Sequence, residues 1–303
     1  MSRHLTPNQR ALERFIKNRP ALLSLFFISV LMAGVLLWPL FAPFKPDQMA
    51  AAQFQPPDSK HWLGTDVHGF DLMTRLMFGA RISLMVGFVG ASVALIIGVT
   101  WGAVAGYLGG RFDSWMMRVV DILYALPAIV FVIVLITVLD THVKQWIVDQ
   151  FGSSAGRYTR TAFLFVGLGA VSWLTMARIV RGQVLSLRSR QFVDASRALG
   201  AGNSRILLHH ILPNVLGVII TYVTMTVPAI ILYESFLSYL GLGIQPPMAS
   251  WGSLIAEGAS QLNPIRVYWW LLVFPATALV STLLALNFLG DGLRDAFDPR
   301  AGV

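Results

Sequence analysis

Cysteine is absent from the 303 residues, which excludes disulfides and thiolate metal sites and leaves the redox compartment open. Charge is scarce: Asp, Glu, Lys and Arg make up 13% of the chain, about half the share usual in a soluble domain. None of the four lysines, Lys17, Lys45, Lys60 and Lys144, follows a glycine. A G-x-x-x-x-G-K-S/T phosphate loop is therefore missing, and the chain does not bind ATP in that way. There is no H-E-x-x-H, and no convergent catalytic set is found. His209 and His210 are adjacent, so on a helix they diverge by about 100° and are poorly placed to share one metal. The other histidines, His4, His61, His68 and His142, stand apart. No metal site and no cofactor of the chain's own are expected.

What the chain has in abundance is apolar sequence, at 55% of residues and a mean hydropathy of +0.65. The apolar residues gather into six runs: Ala21–Phe41, Ile82–Tyr107, Met116–Leu139, Thr161–Val180, Ile211–Tyr233 and Trp269–Leu289. Each is near the roughly 20 residues that a helix needs to cross a bilayer. The expected fold is all-α, a polytopic membrane protein of six transmembrane helices. Arg3, Arg10, Arg14, Lys17 and Arg19 precede the first run. That run outlasts the apolar core of a secretion signal, about 7–15 residues, and lacks a small-x-small cleavage site, so it reads as an uncleaved span.

The net charge of +8 follows topology and does not indicate nucleic acid. With the N-terminus in the cytoplasm, 15 Lys and Arg fall inside and eight outside, against seven and eight acids. The positive-inside rule supports this orientation. Both termini are then cytoplasmic: a segment 1–20, a membrane domain 21–303, and a long cytoplasmic connection at about 181–210.

Several local features carry expectations. Gly98, Gly102 and Gly106 form a stripe that permits close helix packing or lines a path. Asp121 follows Arg118 by three residues, a spacing that allows an ion pair. Pro127 should kink the third span. Trp251, Trp269 and Trp270 suit an interfacial aromatic belt, and a short helix is expected in the loop after span five. Glu234 is the only other acid near a span, so ion-coupled transport has little support. In span five, Thr221, Met225 and Pro228 share a face, with Tyr222 and Thr224 nearby. That stripe either lines a wet cavity or packs between helices.

The cytoplasmic connection holds "DASRALGAGNSRILLHHILPNV". Asp194 or Ser189 can cap a short helix, and Phe192, Ala195, Ala198 and Leu199 then share an apolar face. Gly200 suits a left-handed helix end, and Pro213 the first turn of span five. Arginines Arg190, Arg197 and Arg205 fringe this face. The residues alone fit a helix resting on anionic lipid or a knob for a soluble partner equally well.

This stretch resembles the E-A-A-x-x-x-G-(nine residues)-I-x-L-P loop of permease subunits in ABC importers. Asp194, Ala195, Gly200, Leu212 and Pro213 match; Ser196 replaces the second Ala and His210 the Ile. "HWLGTDVHGFDLMTRLMFGARISLMVG", "LGLGIQPPMASWG" and "FLGDGLRDAFDPR" are similar to the C-type subunit of the oligopeptide/dipeptide permease group, with Phe70 where that group has Arg. The resemblance implies the six-helix type I importer architecture in a bacterial cytoplasmic (inner) membrane. It implies a coupling helix whose ATPase-facing residues are Phe192, Asp194, Ala195, Arg197, Ala198, Leu199 and Gly200. The implied partners are a second permease subunit, two ATPases that bind ATP and Mg, and an extracytoplasmic substrate-binding protein. The implied cargo is a peptide; a nickel complex, glutathione or a peptide antibiotic is the alternative within the family, and an ion-coupled carrier the alternative outside it.

Overall fold

The computed structural model describes residues 7–46, 48–49, 52–151, 153–246 and 248–297. The ends of the expected 1–20 and 21–303 segments, residues 1–6 and 298–303, lie outside the described residues, as does the close of "FLGDGLRDAFDPR". Helices run through the chain in the order α1 (Pro7–Lys17), α2 (Arg19–Phe41), α3 (Leu72–Leu108), α4 (Gly110–Tyr124), α5 (Ala128–Phe151), α6 (Ser153–Arg188), α7 (Gln191–Ala198), the single turn α8 (Asn203–Arg205), α9 (Leu212–Tyr239), α10 (Trp251–Ser260) and α11 (Trp270–Phe297). A π-helical stretch, Ile206–Ile211, joins α8 to α9. The only β pairing among the described residues is two isolated bridges in the 42–71 loop, Met49 with Phe70 and Thr65 with Asp71.

Among the described residues, five stretches are long and apolar enough to span a membrane: Arg19–Phe41, Leu72–Leu108, Ala162–Arg188, Asn203–Tyr239 and Trp270–Phe297. The expected third span, Met116–Leu139, is not one continuous helix. It is broken between α4 and α5, which bend by 85°, and counts as a sixth span only if Gly110–Tyr124 and Ala128–Leu135 are taken together. Pro127 is the cause: its ring blocks the preceding turn, and it disfavours helical backbone at Leu126.

Charge hid the start of α3, which begins at Leu72 and not at Ile82. Asp71 caps it by accepting from the Thr74 N–H at 2.9 Å. Arg75, one turn in, is buried because Asp66 and Glu257 both bind its guanidinium, Glu257 at 2.6 and 3.0 Å. Phe70, at the position where the resembling group has Arg, packs beneath that guanidinium, 5.7 Å from ring centre to Cζ.

The glycine stripe is a packing surface. A Cβ on Gly98 would meet Met176 Cβ at 2.6 Å, one on Gly106 the Arg181 carbonyl at 2.8 Å, and one on Gly102 the Ala177 carbonyl. Only glycine lets α3 and α6 approach so closely. Asp121 bonds Arg178 of α6 at 2.8 Å, so the expected ion pair forms across helices and not with Arg118. Asp113 holds Arg181 by two bonds of 2.5 and 2.7 Å.

The tryptophan belt is corrected as well. Trp251 and Trp270 are 1% and 6% exposed, and their indoles donate to the Leu76 and Thr65 carbonyls. They plug the end of the bundle near the 42–71 loop; of the three only Trp269 is exposed. The expected short helix is α10, closed by a capping box between Ser250 and Ser253.

Candidate coupling helix and translocation cavity

After Arg188 the chain leaves the bundle, and α7 starts without a side-chain cap. Neither Ser189 nor Asp194 caps it. The Arg190 carbonyl accepts from Val193 and Asp194 instead, and Asp194 pairs with Arg197 at 3.1 Å on the exposed surface. Gly200 ends the helix at φ +82°, and its N–H donates to the Arg197 carbonyl at 2.9 Å.

Val193 seats the helix. It is fully buried, in a cluster with Val184 of α6, Ile206 and Ile211 of the π stretch, and Val215 of α9. Of the residues of α7 only Val193 is buried, and the other side of this two-turn helix stands clear. Phe192, Asp194, Ala195, Arg197, Ala198, Leu199 and Gly200 are all exposed, Phe192 at 41% and Leu199 at 89%. Two further contacts frame this unit from α3. Tyr107 donates from its hydroxyl to Asn203 Oδ1 at 2.9 Å, and Arg188 reaches the Tyr107 and Gly106 carbonyls at 3.2 and 3.4 Å.

The π stretch explains the His210 departure. The Leu212 N–H bonds the Leu207 carbonyl, five residues back. The widened turn comes just before Pro213, whose ring would otherwise press on the His209 carbonyl. Pro213 is the second residue of α9, in its first turn as expected, and the π stretch runs directly into it. Ile211 enters the core while His210 stays half-buried.

A cavity of about 560 Å³ opens where α4 and α5 part. Its walls are the broken segment around Tyr124 and Pro127, Ala170, Val171, Ser172, Leu174 and Thr175 of α6, and one face of α9 carrying Tyr222, Met225, Thr226, Ala229 and Tyr233. No charged side chain among the described residues lines it. Of the five stripe residues singled out in span five, Tyr222 and Met225 reach the cavity. Thr221 and Pro228 are buried in the bundle, and Thr224 bonds back to the Ile220 and Thr221 carbonyls. Thr226, Ala229 and Tyr233 were missed, although they continue the Tyr222 face at helical spacing.

Among the described residues these features define an all-helical, multi-pass membrane protein with a cavity free of charged side chains and a short helix that exposes apolar side chains outside the bundle. The chain belongs to the family described as "Binding-protein-dependent transport system inner membrane component", whose family model matches residues 98–303. A second family, "N-terminal TM domain of oligopeptide transport permease C", matches residues 6–57. The oligopeptide transport system permease protein OppC of Escherichia coli (strain K12) is 45% identical over 295 residues, 96% of this chain and 91% of that protein. Its counterpart in Haemophilus influenzae is 42% identical over 297 residues, covering 96% and 88%. The dipeptide transport system permease protein DppC of Bacillus subtilis is 42% identical over 297 residues, covering 98% and 87%.

Proposed function

We propose that this chain is one half of a peptide-import pore, an ABC permease subunit driven by cytosolic ATPases that dock on α7. The observation that carries the reading is Leu199 and Phe192 standing exposed on a helix whose opposite side is locked into the core by Val193. Exposed apolar side chains on a rigid mount suit a groove in a partner. On this reading Phe192, Asp194, Ala195, Arg197, Ala198, Leu199 and Gly200 meet the ATPase. ATP and Mg are bound by that partner and not by this chain.

The chain then forms six spans, with the α4–α5 pair as the third. Both termini and the 181–210 connection are cytoplasmic, and the membrane is the bacterial cytoplasmic (inner) membrane. A second permease subunit supplies the other wall of the path, and an extracytoplasmic binding protein delivers the peptide. Tyr222 and Met225 line the path with Thr226, Ala229 and Tyr233, while Thr221, Thr224 and Pro228 shape α9 behind them. The described lining residues, all uncharged, fit a cargo of fixed backbone and variable side chains, because none of them selects for side-chain charge.

Motion of the docked ATPases carries α7 as a rigid body. Its seat on α6, α9 and the end of α3 relays that motion to the walls of the cavity. The test is peptide uptake in cells deleted for this chain, together with mass spectrometry of what copurifies with a tagged copy. Restored uptake and recovery of two phosphate-loop ATPases and a second permease are expected. Recovery of the chain alone, with uptake unaffected by its deletion, overturns the proposal.

A further inference from the structure

The α1 helix lies outside both the coupling unit and the cavity. One residue, Asn18, separates it from the first span, and Asn18 caps α2 by accepting from the Ala21 N–H at 3.2 Å. Leu12 therefore lies only about 10 Å of helix length from the start of a transmembrane segment. Helical spacing puts Ala11, Leu12, Phe15 and Ile16 on one side, and Arg14 and Lys17 on the other.

The apolar side is only partly used by the protein. Phe15 is half-buried and approaches α11, where a Cβ on Gly292 would lie 3.5 Å from its ring. Leu12 and Ile16, one turn apart, remain 59% and 53% exposed. Lys17 and Arg19 are exposed as well.

We propose that α1 is an interfacial anchor for anionic phospholipid. Leu12 and Ile16 enter the acyl boundary, while Lys17 and Arg19 meet the acidic headgroups. Two features select lipid as the occupant. Continuity with α2 holds the helix at the bilayer edge, and cations opposite an apolar stripe are the pattern of helices that lie in that plane. Near an anionic surface each Lys or Arg adds to the attraction.

The absence of cysteine makes the test direct. Leu12→Cys, Ile16→Cys and, as a solvent-facing control, Glu13→Cys each give the full chain a unique thiol. Each is reconstituted in vesicles of phosphatidylcholine alone or with phosphatidylglycerol, and reaction with a maleimide polymer is followed by gel shift. In phosphatidylglycerol vesicles the thiols at 12 and 16 should react roughly tenfold more slowly than the thiol at 13, with the difference shrinking in phosphatidylcholine. Lys17→Gln with Arg19→Gln, added to either variant, should restore fast reaction. Equal reaction at the three sites overturns the proposal. So does equal protection in both lipids without effect of the charge changes, which would mean that protein covers this face.

Discussion

Replacing Leu199 by Asp separates docking from folding. Leu199 is 89% exposed, and its backbone N–H keeps its bond to the Ala195 carbonyl whatever the side chain. The substitution should therefore change the stability of the isolated chain by no more than about 0.5 kcal/mol. Docking is another matter. Burying a leucine in a partner groove contributes about 1.5–3 kcal/mol, and an unpaired carboxylate forced into the same groove costs at least as much again. A combined loss above about 3 kcal/mol weakens ATPase binding roughly 100-fold or more. The assay is copurification of the ATPases and peptide uptake, with thermal stability of the detergent-solubilised chain as control. Uptake and ATPase recovery within twofold of the unmodified chain would refute the reasoning.

Gly200→Ala forces φ +82° on a residue with a Cβ, in a place where nothing lies within 4 Å; strain of about 1–2 kcal/mol should slow uptake without clashing. Gly200→Pro also removes the N–H bonded to Arg197 and should abolish uptake while membrane insertion persists, as fractionation would show. Gly102→Leu drives a side chain into the Ala177 backbone and should part α3 from α6, lowering the amount of folded protein seen by size-exclusion chromatography. Arg75→Met leaves the buried Asp66 carboxylate unpaired and should cost about 3–5 kcal/mol, whereas Arg178→Met breaks an exposed pair worth less than about 1 kcal/mol; melting of the two variants separates the cases. Tyr222→Ala, which enlarges the cavity, should alter uptake or peptide preference with the melting temperature nearly unchanged.

The helical spans were legible because lipid demands long apolar runs, and most of these helices supply them. The limits of that signal are physical. The second run was begun at Ile82, ten residues late, because charge at Arg75 and Arg81 interrupts the apolar pattern and sequence cannot see Asp66 and Glu257 folding onto Arg75. Asp121 suggested Arg118 as a partner because only neighbours on one helix are visible in spacing, while Arg178 arrives from α6. Pro127 announced a kink, but the size of the break depends on what fills the space beside it, and here that space is the cavity. In the candidate coupling helix the exposed face was readable from periodicity. Val193, which fixes that face in place, was not, since an apolar residue on a helix of eight carries no mark of which side meets the core. The contacts of Tyr107 and Arg188 with this unit join residues far apart in sequence and leave no local pattern.

The most direct test of the central claim uses Leu199→Cys, again a unique thiol in a chain without cysteine. Labelled with a photoactivatable maleimide in native membranes and illuminated, it should crosslink to a phosphate-loop ATPase, and ATP should change the yield. Crosslinking to lipid alone, in membranes where the ATPase is present and uptake is active, would contradict the account.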